Sequence, residues 1–112
     1  MPHLIVSFET VALQQACYVL ELAEEQFGAV HAQALIALLA DIEAFATTAE
    51  LIDFLGEDAA VALDDSLSLP IGSDYRATLV ATGTRYHKDA GSRVVWSSVT
   101  RLKLVEITTG CQ

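Results

Sequence analysis

The residues able to do chemistry gather in 75–107. Every Lys and Arg of the 112-residue chain lies there: Arg76, Arg85, Lys88, Arg93, Arg101 and Lys103. With Tyr86 and His87 they form a set suited to phosphate. Guanidinium and ammonium groups neutralise phosphate charge and stabilise a developing pentavalent centre. His87, the sole histidine of this segment, can move a proton near neutral pH. Tyr86 offers a ring on which a base can stack. A solvated loop is the commoner meaning of such a cluster on sequence alone. Other chemistries find less support. No phosphate-binding loop, dinucleotide fingerprint, nucleophile elbow or zincin motif is present. Ser97 and Ser98 have no base partner in sequence. Asp64 and Asp65 are adjacent carboxylates, which are usually solvated. No Cys or His spacing suits zinc, so neither metal nor cofactor is expected.

Charge is divided along the chain. Residues 1–74 carry thirteen acids and no Lys or Arg, a charge of −13. Residues 75–112 carry six bases and two acids, Asp89 and Glu106, a charge of +4, so the whole stands at −9. A net −9 opposes general nucleic-acid binding. The asymmetry suggests two electrostatic surfaces; the plainer alternative is that the cations keep strand edges soluble. The length allows one domain with a real core. Hydrophobic residues make up 53% and mean hydropathy is +0.42, yet no apolar run reaches the roughly 18 residues of a membrane helix. The first residues lack a basic region and a long apolar stretch, so a cytoplasmic protein without membrane contact is expected. Cys17 reads as a buried small hydrophobe and Cys111 as an incidental thiol.

The elements that must position these residues follow from periodicity. A strand over 4–8 precedes a helix over about 10–27, whose apolar stripe is Leu13, Ala16, Cys17, Leu20, Ala23 and Phe27. Gly28 stops it. A second helix over 31–46 carries Leu35, Leu38, Leu39, Ile42 and Phe45, making an antiparallel hairpin with the first. His31, near its start, reads as a surface residue. Thr47 and Glu50 form a capping box for a short third helix to Leu55. Val61, Leu63, Leu67, Leu69 and Ile71 share one strand parity, with Asp64 and Asp65 marking a turn, a bulge or a break. Three strands then follow: 75–86, 93–96 and 101–107, with a tight corner at 96–100. On the last, Arg101 and Lys103 face one way and Leu102 and Leu104 the other. The class expected is α+β: an N-terminal strand, a two-helix hairpin and a short third helix, packed on a curved, mainly antiparallel sheet of four to five strands.

The whole pattern resembles the RelE/ParE superfamily, in particular HigB-like plasmid-maintenance toxins. IVSFET at 5–10, then Leu13, Cys17, Ala23, Glu24, Phe27 and Gly28, resembles their opening. LLADIEA at 38–44 resembles their second-helix LADLxA segment, and TAEL at 48–51 the connection after it. VWSSVTRLKLVEI at 95–107 is similar to their DWxxVxRIKIxxI close. The likeness spans 1–112 as a single domain. It implies a toxin–antitoxin system and a cognate antitoxin partner. It further implies growth inhibition by ribosome-dependent mRNA cleavage, or poisoning of DNA gyrase. An endoribonuclease of this kind would use Arg85, His87, Arg101 and Lys103 in catalysis and Arg76, Tyr86, Lys88 and Arg93 in RNA binding. Val95 departs from the pattern, standing where an acid usually precedes the Trp. The chain also closes soon after Ile107 and is acidic. These departures bear on catalysis more than on fold. The alternative is a non-catalytic protein-binding module or degenerate toxin homologue on the same scaffold. A homodimer stays open. A basic or amphipathic antitoxin segment is expected across Tyr18, Glu21 and Glu25 or over the strand face.

Overall fold

The computed structural model describes residues 4–62, 64–72, 74–83 and 86–109. Leu63, Arg85 and Cys111, each part of the sequence expectations, lie outside them. Among the described residues, four α-helices pack on a five-stranded mixed sheet. None of these helices is long and apolar enough to cross a membrane.

Strand β1 (Ile5–Phe8) is a short run of β-branched and aromatic residues, as strands favour. Thr10 then caps α1 (Val11–Tyr18), its hydroxyl accepting from the Leu13 N–H at 3.1 Å. The expected single helix over 10–27 is two helices. Val19 leaves helical geometry (φ −107°, ψ 104°), a conformation its β-branched side chain suits, and α2 (Leu20–Phe27) restarts after it. One straight helix of that length would run about 25 Å. It could not lie on β1 at its start and on the next helix at its end. The break allows both: α1 packs on β1 and α2 on α3 (Ala29–Glu43). It also turns Leu20 outward to 39% exposure, against the expectation that it is buried. Leu35, Leu38 and Ile42 of α3 are buried; Leu39 is half-buried. Helix α3 ends at Glu43, earlier than expected, and Phe45 packs on the core from beyond it.

Helix α4 (Thr48–Leu55) has the capping box read from the sequence. The Glu50 carboxylate accepts from the Thr47 N–H at 3.2 Å, and the Thr47 hydroxyl accepts from the Glu50 N–H at 3.3 Å. Buried Thr48 ties the start of this helix to Val99, donating both its N–H and its hydroxyl to the Val99 carbonyl at 3.1 Å. The strand expected from the shared parity of Val61 to Ile71 divides into β2 (Ala60–Val61) and β3 (Leu67–Ile71). Asp65 causes the division: it adopts φ 64° in the turn between them.

The sheet order is β1-β5-β4-β3-β2, with β4 at Tyr75–Ala81 and β5 at Arg101–Thr109. All pairs are antiparallel except β1 with β5, which is parallel. Between Thr78 and Leu79 the register slips, because Val105 is an extra residue on β5. Leu67, Leu69, Ile71, Ala77, Leu79, Leu102 and Leu104 bury one face under the helices. The expected 93–96 strand is not formed. A single bridge, Lys88 to Val94, closes a loop there, and Trp96–Ser98 is a 3₁₀ turn, matching the expected corner.

Candidate functional site

The outer sheet face opposes the core residues. On β5 it carries Arg101 and Lys103, as the alternation required, since Leu102 and Leu104 are buried. Lys103 pairs with Glu9, just beyond β1, at 3.1 Å. Both groups are well exposed, so the pair is worth roughly 0–1 kcal/mol and orients more than it holds. Arg101 is exposed and makes no ion pair among the described residues. Its stem runs beside Gly83 (φ 91°), where a Cβ would stand 3.4 Å from the Arg101 Cδ.

Two other guanidinium groups are held within the fold. Arg76 on β4 donates from Nε to the Ser68 hydroxyl at 2.6 Å. Its Nη2 donates to the carbonyls of Asp58 at 2.7 Å and Ser68 at 3.0 Å. It thus ties β3 to the 3₁₀ turn Gly56–Asp58. Arg93 donates from Nε to Asp65 at 2.7 Å and from Nη2 to the Ala62 carbonyl at 3.2 Å. That pair pins the 86–95 loop to the turn between β2 and β3. The loop is organised by Asp89, whose carboxylate accepts from the Gly91 N–H at 2.8 Å and the Arg93 N–H at 3.0 Å.

Tyr86 is half-buried, packing against the core. Tyr86, Lys88, Val80, Ala81 and Val94 line a shallow cleft of about 190 Å³, and its remaining wall is Asp64 and Asp65. Ser66 donates both hydroxyl and N–H to Asp64, which lowers that carboxyl below its ordinary range. Two carboxylates beside Lys88 repel a phosphate. His87 is exposed; its N–H donates to the Ser98 hydroxyl at 2.8 Å, and Ser98 donates in turn to the Val95 carbonyl at 2.6 Å. Ser98 is therefore a clasp between this loop and the approach to β5.

Seven of the eight residues singled out in the sequence lie among the described residues; His87 is on the 86–95 loop, and Lys103 stands opposite Val80, which also lines the loop's cleft. Arg85 lies outside the described residues. Tyr86, Lys88 and Arg93 share the acid-lined loop. Arg101 and Lys103 share the outer sheet face. Arg76 sits opposite Thr108, roughly 15 Å along β5 from Lys103 at the rise of a strand. Among the described residues no group of three His, Cys, Asp or Glu could hold a metal ion.

Sequence reasoning passed over a cleft of about 410 Å³ between β1 and α1, lined by Val6, Ser7, Phe8, Glu9, Thr10, Val11, Gln14 and Tyr18. Its signal was present: Val11, Gln14 and Tyr18 recur at i, i+3 and i+7, one stripe of α1. Tyr18 meets Phe8 edge-on, ring centroids 5.4 Å apart. The break at Val19 puts Tyr18 on α1 but Glu21 and Glu25 on α2, dividing the surface expected to hold a partner. His31, expected at the surface, is tucked in. It lies 3.4 Å from Asp74 and edge-on to Tyr75, and Gly72 (φ 61°) leaves it room, since a Cβ there would stand 2.8 Å from its ring. Compared with protein-family models, characterised proteins and solved structures, the chain has no match.

Proposed function

We propose that this chain is a non-catalytic protein-binding module for a partner of basic surface, acting in the cytoplasm. One observation carries the reading. Of the five described Lys and Arg residues, Arg76 and Arg93 are held by carbonyls and a carboxylate of the chain itself, and Lys103 shares an exposed pair with Glu9. A site for polyanionic RNA needs cations with free donors, and it needs them away from carboxylates. Here the 86–95 loop faces Asp64 and Asp65, and the net charge is −9. The same charge favours encounter with a basic protein.

A second reading keeps the function implied by the resemblance, a toxin acting on ribosome-bound mRNA or on gyrase and silenced by an antitoxin. Exposed Arg101, without an ion pair among the described residues, supports it. In that reading His87 supplies the proton transfer and Arg101 the charge stabilisation.

Induced expression separates the two. A binding module permits normal growth, and with the product of a co-transcribed neighbour it gives a stoichiometric complex by calorimetry. Growth arrest that Arg101→Ala or His87→Ala relieves, with the fold intact by circular dichroism, replaces the first reading with the second. Absence of both complex and arrest overturns both.

A further inference from the structure

We infer that the open edge of β1, with the cleft between it and α1, receives an extended cationic segment of a partner protein as a sixth strand. The inference rests on the binding-module reading and names its site. β1 is the outermost strand of the sheet. The N–H groups of Ile5 and Glu9 donate to the carbonyls of Thr100 and Leu104. In a parallel ladder the alternate residues turn their backbone groups the other way, so Val6 and Phe8 present N–H and C=O outward.

Edges of this kind are normally blunted by charge, proline, a bulge or brevity. The opposite edge, β2, is two residues long. β1 is four residues, Ile, Val, Ser, Phe, without charge or proline; just before it the Leu4 N–H is taken by the Phe45 carbonyl at 2.8 Å, so the open stretch is Val6 to Phe8. Beside it the α1 stripe forms a second wall, giving the strand-edge-plus-helix geometry in which an added strand gains main-chain bonds and side-chain pockets together. Val11 at 67% and Tyr18 at 62% exposure leave that wall apolar and uncovered.

The charge selects the occupant. Glu9 is the one charged residue lining the cleft and already pairs with Lys103 at 3.1 Å, so the selection rests on the acidic segment around it. The 1–74 segment that builds it has a charge of −13. A second copy of the chain would bring two −9 molecules to strand spacing, which like-charge repulsion opposes. A Lys-bearing strand meets the opposite field.

The probe is a synthetic peptide of about nine residues alternating Val or Thr with Lys, titrated into the isotope-labelled chain. Amide exchange at Val6 and Phe8 is expected to slow about ten-fold or more at saturation, as paired ladder amides do. Shifts should gather at Ser7, Val11, Gln14 and Tyr18. N-methylating the peptide bonds of one alternate register should weaken binding about ten-fold or more, and methylating the other register should not, because only one set faces the edge. Tyr18→Ala should weaken the probe, as should exchanging its Lys for Glu. Arg101→Ala should do neither. Four results overturn the inference: no binding up to millimolar peptide, binding blind to the methylated register, binding with Val6 and Phe8 exchanging as before, or protection of these amides by self-association alone. If the edge stays open while the neighbour's product still forms its complex, only the edge assignment falls. If no complex forms either, the module reading falls with it.

Discussion

Arg76 and Cys17 show how far a residue's role depends on what surrounds it. In sequence, Arg76 is one of six cations of equal standing. In the fold its guanidinium binds two carbonyls and a hydroxyl, a charged donor holding neutral acceptors. Arg76→Ala should therefore destabilise by about 1.5–3 kcal/mol, the range for hydrogen bonds to charged groups, read as a lower midpoint in urea. An RNA contact would leave the midpoint unchanged. Cys17 was readable from its place on the apolar stripe. It is 4% exposed, and burial pushes its thiol up to about 11. The folded state thus holds its proton more tightly than the unfolded state. That stabilising contribution is whole below about pH 9 and is lost as pH rises toward 11. Cys17 should resist iodoacetamide at pH 8 and react on unfolding, which peptide mapping of the labelled chain will show. Arg93 was not readable in this way. Its partner Asp65 is 28 positions away, and no spacing rule links a loop cation to a turn acid across two strands.

At the scale of elements, the sequence carried the class and missed the breaks. The Thr47 and Glu50 capping box, the buried parity of Leu67, Leu69 and Ile71, and the division of β5 between Arg101 and Leu102 all follow from local chemistry. The interruption at Val19 does not. The apolar period continues through it, and only the need to serve two packing partners ends the helix. The same holds at 93–96, where Val94, Val95 and Trp96 have strand propensity but no neighbouring strand to pair with, so a bridge and a turn result. Leu20 and Leu35 give a direct test of the break. Both lie on predicted stripes, but Leu35 is fully buried and Leu20 is 39% exposed. Leu35→Ala should lose about 2–5 kcal/mol, as a large-to-small core change does. Leu20→Ala should stay within about 1 kcal/mol, as surface changes do. Equal losses in thermal unfolding would mean that the helix runs straight through Val19. The cleft beside β1 was half legible: the Val11, Gln14 and Tyr18 stripe is written in the sequence, but the vacancy of a strand edge is a property of sheet order.

The whole molecule joins an acidic, helix-rich first half to a second half that holds all its Lys and Arg. The join is not a domain boundary, because β5 lies between β1 and β4. The Ser7 hydroxyl reaches the Leu102 carbonyl across 95 positions. As the chain emerges from the ribosome, β1 therefore has no sheet neighbour until the 101–109 segment follows it. Helix α3 can meet α2 and β3 before then, but α1 waits with β1, and β4 waits with one side unpaired. Closure is an insertion, in which a late segment enters between two earlier strands and completes both ladders together. Loop closure across so many residues is slow, so refolding should take milliseconds to seconds rather than microseconds. A chain cut before Arg101 should lose cooperative unfolding altogether and expose two open strands to aggregation. Stopped-flow refolding of the full chain, and a urea titration of the shortened one, would measure the two effects. A cooperative transition in the shortened chain would mean that the first half folds without waiting for the last strand.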